Sequence, residues 1–232
     1  MMVILILNFA ALLVSIIIHE VAHGYVAYRL GDSTAYKQGR LSLNPLKHLD
    51  LMGSLIIPLL LYLSQLPILG WAKPVPVDVF QLKKPYKDLM FIALAGPISN
   101  VILICLFSLF IEIFLVNFYS NYTIYMLYFS LSMVQINIIL TLFNLIPIPP
   151  LDGSKVLMFF SPQKIKSFLH KIEPYGFILL FLLLYFGVLD KIILPAINAL
   201  TRILLPSVDL LGIFDTSFKP FLSFNHVGNV VC

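Results

Sequence analysis

Long hydrophobic runs separated by short polar stretches are the dominant pattern of the chain. Windows close to the ~20 apolar residues that a helix needs to cross a bilayer cover 1–28, 51–69, 89–118 and 122–146. A fifth, weaker region at 175–205 contains Gly187 and Pro195, which favours either one broken helix or a span followed by an interfacial piece. The pattern predicts an all-α multi-pass membrane protein with about four to six membrane segments.

The composition excludes a soluble globular domain. Of the 232 residues, 60% are hydrophobic and only 11% are charged, whereas soluble domains carry about a quarter charged residues. We expect residues 1–232 to form a single integral membrane domain, with its core in 1–160 and C-terminal membrane segments in 175–214. The first apolar run lacks the basic start and the small-residue cleavage site of a signal peptide, so we interpret it as a retained helix.

The distribution of basic residues predicts the orientation of the chain. Four Lys or Arg residues lie in each of the gaps 29–50, 70–88 and 147–174. The connector 119–121 has none. A spanning helix at 51–69 would place two basic gaps on opposite sides of the membrane, against the positive-inside tendency, and Pro58 and Pro67 weaken such a helix. We therefore expect a re-entrant segment at 51–69 and all basic gaps in the cytoplasm.

The first apolar run contains three ionisable residues, His19, Glu20 and His23, in the pattern H-E-x-x-H. Residues four apart share a helix face, so the two histidines can present their imidazoles to one metal ion, with Glu20 on the adjacent flank. Ionisable groups are costly in a bilayer, and this triplet favours a zinc hydrolase over histidines that only hydrogen-bond neighbouring helices. Asn8 and Ser15 extend a polar stripe that we expect to face protein or water.

A third zinc ligand has to come from elsewhere, because catalytic zinc usually takes three protein ligands and leaves one position for water. Asp152 is the best candidate. It follows three prolines that end the fourth apolar run, and the predicted topology returns it to the side toward which His23 points. We expect Gly153 to permit an unusual backbone turn beside the carboxylate. Considered by itself, Asp152 fits equally well as a helix N-cap.

Three motifs in order carry a family resemblance. They are H-E-x-x-H at 19–23, G-P-I-S-N at 96–100, and N-x-x-P at 144–147 leading into L-D-G at 151–153. Together they resemble the site-2 protease family of intramembrane zinc metalloproteases. Further stretches resemble the compact bacterial branch of that family, which lacks PDZ domains; they lie at 31–32, 39–45 and 70–77.

The resemblance implies a zinc-dependent endopeptidase that hydrolyses peptide bonds in or near transmembrane segments of membrane proteins. It implies that His19, His23 and Asp152 bind the zinc and that Glu20 is the general base on zinc-bound water. Asn144, eight positions before Asp152, resembles the family asparagine that steadies the substrate or the developing oxyanion. The sequence does not identify the substrate-binding residues.

Other polar residues near these motifs have open roles. Asn100 is either part of the site or a buried helix-packing amide beside a glycine. We interpret His48 and Asp50 as part of an interfacial loop rather than as zinc ligands. Residues 37–43 mix alternating side chains with β-capable backbone, and we expect a short membrane-embedded β-element at about 35–44 that pairs with an unwound substrate as an edge strand.

Two other function classes compete with the protease. One is an ion or proton transporter in which the intramembrane His, Glu and Asp residues form a relay, although the paired repeats of such folds are not visible. The other is an inactive membrane scaffold that retains zinc. The net charge of +4 is explained by orientation and anionic headgroups, so we expect the bilayer and transmembrane proteins as partners, no nucleic acid, and a bacterial inner-membrane location.

Overall fold

A computed structural model describes residues 2–64, 71–117 and 123–206 of the protein. Over these ranges the chain forms α-helices joined by loops and short helical turns, and it forms no strand. The helices are α1 (Met2–Arg29), α2 (Thr34–Lys37), α3 (Ile57–Leu63), α4 (Pro85–Asn117), α5 (Thr123–Asn144), α6 (Asp152–Phe160), α7 (Gln163–Ile172), α8 (Gly176–Tyr185) and α9 (Val188–Leu204). The predicted all-α fold is confirmed.

Several helical stretches are long and apolar enough to cross a membrane. Within the described residues there are four, Val3–Arg29, Pro85–Ile113, Ile124–Asn144 and Gln163–Tyr185. The prediction of a multi-pass membrane protein is therefore confirmed. The last stretch begins earlier than the predicted position 175, because α7, a 3-10 turn at Glu173–Tyr175 and α8 follow one another without a break.

The long helices α1, α4 and α5 pack against one another, α6 packs on α4, and α9 packs on α5. Buried aliphatic side chains fill the space between α4, α5 and α9; they include Ile104, Ile111, Val134, Ile138 and Ile197. Because lipid is as apolar as these side chains, close van der Waals packing rather than exclusion from water holds such helices together. The bundle fixes the position of α1, which carries the H-E-x-x-H pattern.

The polar stripe of α1 faces this bundle, as we expected. Asn8 and Ser15 are both buried. The Oγ atom of Ser132 donates to Oδ1 of Asn8 at 2.5 Å, and Nδ2 of Asn137 donates to Oγ of Ser15 at 2.8 Å. Hydrogen bonds between polar side chains of α1 and α5 therefore set the rotation of α1 about its axis.

The region after the first basic gap is too short to span the membrane as a helix. A π-helical turn at Met52–Ile56 runs into α3, and together they cover about 18 Å at 1.5 Å per residue, against a hydrocarbon core of about 30 Å. The backbone N–H of Trp71 donates to the carbonyl oxygen of Gly53 at 3.0 Å, so the chain returns beside its starting point. This contact supports the re-entrant segment, whose residues 65–69 lie outside the described ranges.

The C-terminal region is interrupted between α8 and α9, which fits both of the expected forms. Helices α8 and α9 meet at Gly187, whose φ of 64° lies in the left-handed region that glycine adopts without strain. Pro195 lies inside α9. Residues 207–214 of the predicted C-terminal membrane segments lie outside the described ranges.

The prediction of a β-element at 35–44 is wrong. The stretch begins with the short helix α2 and then turns at Gly39, which has a φ of 64°. Oδ1 of Asp32 accepts a hydrogen bond from the backbone N–H of Thr34 at 2.8 Å and favours the turn that starts α2. This local contact outweighs the alternation of side chains on which the prediction depended. Pairing of this stretch with a substrate stays a prediction.

Candidate metal centre

Three side chains that are far apart in the sequence meet inside the bundle. His19 and His23 lie one turn apart on α1, and Asp152 is the first residue of α6. Oδ2 of Asp152 lies 3.3 Å from Nε2 of His19 and 3.1 Å from Nε2 of His23, and the two Nε2 atoms are 3.0 Å apart. Each of the three residues is more than nine-tenths buried. The structure thus brings the three predicted ligands together around one point.

The spacing of these three atoms fits a tetrahedral zinc ion. Zinc–nitrogen and zinc–oxygen bonds of 2.0–2.1 Å at tetrahedral angles separate neighbouring ligand atoms by about 3.3 Å. The three observed separations range from 3.0 to 3.3 Å. Two imidazoles and one carboxylate are also a ligand set that zinc accepts, and they leave a fourth position for water or substrate. The donor set and its geometry therefore fit the metal that the resemblance implies.

The start of α6 places Asp152 by close packing rather than by an unusual turn. A Cβ atom on Gly153 would lie 2.2 Å from the carbonyl oxygen of Leu145 and 2.5 Å from that of Ile146, so only glycine lets α6 approach the end of α5 this closely. Gly153 is helical, and the predicted unusual backbone turn is wrong. The N-cap position belongs to Leu151, which leaves the carboxylate of Asp152 directed at the histidines.

Gly96 of α4 leaves space for both imidazoles. A Cβ atom there would lie 2.5 Å from Nε2 of His23 and 2.6 Å from Nε2 of His19. The sequence had singled out this glycine only as part of a family motif. Its physical role is to let the backbone of α4 pass directly beside Nε2 of His19 and Nε2 of His23.

Helix α4 also holds the outer nitrogen of each imidazole. Nδ1 of His23 donates to the carbonyl oxygen of Ile92 at 2.6 Å, and Nδ1 of His19 lies 3.1 Å from Nδ2 of Asn100. Ile92, Gly96 and Asn100 are spaced four residues apart and therefore share one face of α4. Sequence reasoning missed Ile92, because a backbone carbonyl carries no side-chain signal. Such outer contacts orient the ligating nitrogens of metal-bound histidines.

Glu20 is held by a segment without helix or strand that follows the re-entrant region. The backbone N–H of Val75 donates to Oε2 of Glu20 at 2.9 Å. The side chain of Val75 is buried, and its Cγ1 atom would lie 2.8 Å from a Cβ atom added at Gly24. The segment around Val75 therefore lies directly on the H-E-x-x-H face of α1. Sequence reasoning missed this N–H for the same reason that it missed the Ile92 carbonyl.

Two anchors fix this segment. The guanidinium of the buried Arg40 donates to the carbonyl oxygens of Lys73 and Pro74, and the backbone N–H of Asp78 donates to Oδ2 of Asp32 at 2.7 Å. The loop after α1 thus holds both ends of the segment that contacts Glu20. Polar residues far from the metal atoms contribute to the position of the carboxylate in this way.

The remaining candidate residues lie outside the cluster of three ligands. Asn144 is the last residue of α5, and its Nδ2 atom donates to the carbonyl oxygen of Leu140 at 2.9 Å. His48 is buried, and its Nε2 atom lies 2.7 Å from the carbonyl oxygen of Ser42. Oδ1 of Asp50 accepts from the backbone N–H of Gly53 at 2.8 Å. His48 and Asp50 belong to the loop, as we had interpreted them.

The charge on Asp152 suits it to hold a cation. Asp152 lies outside the membrane-spanning helices. Burial raises its pKa, but hydrogen bonds from His19 and His23 and the charges of His23 and Lys155 more than offset this effect, so its pKa lies well below the ordinary 3.8. Nζ of Lys155 is 3.4 Å from Oδ1 of Asp152. Asp152 is therefore an anion at neutral pH, and its Oδ2 atom faces the two imidazoles.

Comparison with known proteins agrees with this geometry. The model of "Peptidase family M50" matches residues 54–185, which include the glycine–asparagine motif of α4 and Asp152. A relative named "Putative zinc metalloprotease YwhC", from Bacillus subtilis, is 39% identical over an alignment of 221 positions that covers 91% of this chain and 92% of the relative. Another, "Putative zinc metalloprotease Rip2" from Mycolicibacterium smegmatis, is 30% identical over 83% of this chain and 69% of its own length. No solved structure matches the chain. The chain therefore belongs to peptidase family M50, the site-2 protease family that its motifs predict.

Proposed function

We propose that the protein is a zinc-dependent intramembrane endopeptidase that cleaves membrane proteins in or near their transmembrane segments. The observation that carries this proposal is the convergence of two imidazole nitrogens and one carboxylate oxygen within 3.3 Å of one another inside a bundle of apolar helices. The zinc metalloprotease names of both relatives and the peptidase family support it. They also favour the protease over a transporter or an inactive scaffold.

In this proposal His19, His23 and Asp152 hold the zinc ion. When bound, zinc lowers the pKa of a coordinated water and polarises the carbonyl group of a peptide bond. The residues of the protein neutralise part of the metal charge and orient the ligands. Asp152 offsets part of the metal charge, and the rigid face of α4 keeps the imidazoles from turning away.

Glu20 acts as the general base. Its Oε2 atom is bound by the N–H of Val75, which leaves Oε1 to take a proton from the attacking water and to pass it to the departing amine. A hydrogen bond to one oxygen also fixes the carboxylate in one orientation relative to α1. Proton transfer needs this fixed geometry, because base and water have to lie within hydrogen-bond distance.

Asn144 is proposed to donate its side-chain N–H to the oxygen of the carbonyl under attack. In the structure this N–H is bound to the carbonyl of Leu140 within α5. Asn144 ends α5, where the side chain can rotate toward a bound substrate without disturbing a following helical turn. The developing negative charge is a stronger acceptor than a neutral backbone carbonyl.

The position of the site suits substrates that lie in the bilayer. His19 is about 15 Å along α1 from Arg29, at 1.5 Å per residue, so water has to reach it through a polar path from the basic side. Glu20 is only partly buried, although the three proposed ligands are buried. We propose that the chain is one protease domain of a bacterial inner membrane, and that unwound transmembrane segments enter from the Glu20 side.

Metal analysis combined with cleavage assays tests the function. Purified wild type and Glu20→Gln are compared on a panel of single-span membrane proteins in liposomes. We expect both to contain about one zinc per chain, and only wild type to cleave. Glu173→Gln is the matched control, because Glu173 is an exposed carboxylate near His170 and should retain cleavage.

Each outcome has a separate meaning. Cleavage by Glu20→Gln would remove the general-base role while leaving the protease assignment intact. Wild type without zinc would remove the metalloprotease assignment. Proton or zinc flux in the liposomes without cleavage would favour the transporter.

A further inference from the structure

Asn100 makes one polar contact that sets it apart from a helix-packing amide. It is fully buried in α4, and its Nδ2 atom lies 3.1 Å from Nδ1 of His19. Its Oδ1 atom is buried and has no hydrogen-bond partner within the described part of the chain. Burial of an amide is costly unless its atoms find partners. The contact with His19 is therefore the interaction that offsets the energetic cost of burying this amide.

The proton on His19 has to lie on the nitrogen that faces Asn100 if His19 is a zinc ligand. A neutral imidazole carries one proton, and a ligating Nε2 atom needs its lone pair for the metal. Nδ1 then carries the proton and needs an acceptor. The Nδ1 atom of His23 has such an acceptor, the carbonyl oxygen of Ile92, at 2.6 Å. The corresponding group beside His19 is the carboxamide of Asn100.

The two orientations of the Asn100 carboxamide correspond to two tautomers of His19. With the nitrogen toward His19, Nδ1 is an acceptor and Nε2 carries the proton, which Nε2 can share with His23 or Asp152 at 3.0 and 3.3 Å. Half a turn about the Cβ–Cγ bond puts the oxygen there instead. Nδ1 then donates to Asn100, and Nε2 is left with a lone pair.

We propose that Asn100 is a positioning residue for zinc: its Oδ1 atom accepts the Nδ1–H of His19 and fixes the tautomer whose Nε2 lone pair faces His23 and Asp152. This inference rests on the proposed function. Under this proposal three residues on one face of α4 position the two zinc ligands. Ile92 accepts from His23, Asn100 accepts from His19, and Gly96 leaves space for both rings.

Two substitutions separate an acceptor from a packing amide. Asn100→Asp has nearly the same shape and can only accept when ionised, so it keeps the contact that the proposal requires. Asn100→Leu has a similar volume and cannot accept. Thr201→Val is the matched control, because Thr201 is also a buried polar residue and its hydroxyl donates to the carbonyl of Ile197 within α9 rather than to a histidine.

The first measurement is zinc affinity of the full-length purified protein, by competition with a chromophoric chelator at neutral pH. We expect about 10- to 100-fold weaker binding in Asn100→Leu, because removing such outer partners has this effect at zinc sites. Asn100→Asp should stay within a few-fold of wild type, and Thr201→Val should be unchanged. Equal affinity in Asn100→Leu and wild type overturns the proposal, and so does equal weakening in Asn100→Asp and Asn100→Leu.

The second measurement needs no substitution at Asn100 and keeps the proposal testable if Asn100→Leu does not fold. Nitrogen-15 NMR of histidine-labelled, zinc-loaded wild type distinguishes a protonated from an unprotonated Nδ1 atom in His19. We expect the protonated form, and an unprotonated Nδ1 overturns the proposal. If wild type binds zinc but either test fails, only the role of Asn100 falls. If wild type binds no zinc, the proposed function falls with it.

Discussion

Gly96 and His19 are so close that the space between them excludes a single methyl group. A Cβ atom at position 96 would lie 2.5 Å from Cε1 of His19, a distance at which one of the two elements has to move. The next nearest atoms are Nε2 of His23 and Nε2 of His19. The added methyl group would therefore press on the two imidazole rings and not on the end of a flexible side chain. The backbone of α4 therefore lies directly against the histidine rings of the metal centre.

Gly96→Ala should therefore weaken zinc binding strongly without unfolding the bundle. Alanine favours a helix more than glycine does, by roughly 1 kcal/mol, so α4 itself should tolerate the change. The added methyl group should push Nε2 of His19 and His23 away from Asp152. We expect at least a tenfold loss of zinc affinity and loss of cleavage, with the helical circular dichroism signal retained.

Ser99→Ala is a suitable control for this change. Ser99 lies on the same turn of α4, and its hydroxyl donates to the backbone carbonyl of Gly96 rather than to the metal centre. Zinc affinity should be unchanged in this variant. Normal zinc affinity in Gly96→Ala would mean that α4 can shift away from α1 at little cost. That result would contradict the conclusion that the α4 backbone fixes the position of the two imidazoles.

Residue type and spacing predicted the three side chains that meet at this site. The i, i+4 spacing of His19 and His23 placed them on one helix face, and the three prolines and the predicted topology singled out Asp152. Hydropathy predicted the long helices, and the distribution of basic residues together with two prolines predicted the re-entrant segment. These signals are strong because they depend on residue type, which the sequence states directly.

Backbone groups could not be predicted in the same way. The carbonyl of Ile92 and the N–H of Val75 contact His23 and Glu20, yet any residue other than proline could supply that N–H. The wrong strand at 35–44 has a related cause, since a contact between Asp32 and the Thr34 backbone decided the local structure. The sequence therefore identifies reactive side chains more readily than the backbone groups that hold those side chains in place.

Val75→Pro tests the contact that holds Glu20. Proline lacks a backbone N–H, and it fits between Pro74 and Pro76 because both neighbours already favour extended backbone. Loss of a hydrogen bond to a carboxylate is worth about 1.5–3 kcal/mol, so kcat should fall about 10- to 100-fold. Zinc content should stay at the wild-type level, because the N–H of Val75 is bound to Glu20 rather than to a proposed ligand.

Val75→Ile is the control for Val75→Pro, since it retains the N–H and a branched apolar side chain. Activity of Val75→Ile should be close to that of wild type. Unchanged kcat in Val75→Pro would show that the N–H does not hold Glu20 during the reaction. Loss of zinc in the same variant would show that the segment supports the metal rather than the base.

Asp32 makes the stability of this loop region depend on pH. Its side chain is fully buried. Burial raises its pKa, but hydrogen bonds from Thr34 and Asp78 and the charge of Lys37 outweigh this effect, so the pKa lies below the ordinary 3.8. A carboxyl with a lowered folded-state pKa stabilises the fold above its unfolded pKa, and this contribution is lost as the pH falls through the folded value. We therefore expect acid destabilisation that begins near pH 4.

Asp32→Asn should remove this part of the pH dependence. At neutral pH the variant should be less stable by about 1.5–3 kcal/mol, because an amide can accept only one of the two backbone hydrogen bonds. Below about pH 4 the difference from wild type should shrink as Asp32 takes up a proton. Thermal denaturation of both proteins in detergent between acid and neutral pH measures this, and parallel pH profiles would contradict the role of Asp32.

Asn144→Asp separates a role in the reaction from a role in α5. The variant keeps the size of the side chain but loses the N–H that we propose to bind the oxyanion. Removal of one such donor typically lowers kcat by about 10²–10³-fold. Zinc affinity should be unaffected, because Nδ2 of Asn144 contacts the Leu140 carbonyl and not the ligands. Thr141→Val is the matched control, since Oγ1 of Thr141 donates to the carbonyl of Asn137 in the same i to i−4 pattern. If both variants lose activity equally, the hydrogen bond of Asn144 serves the end of α5; if only Asn144→Asp does, its N–H serves the substrate.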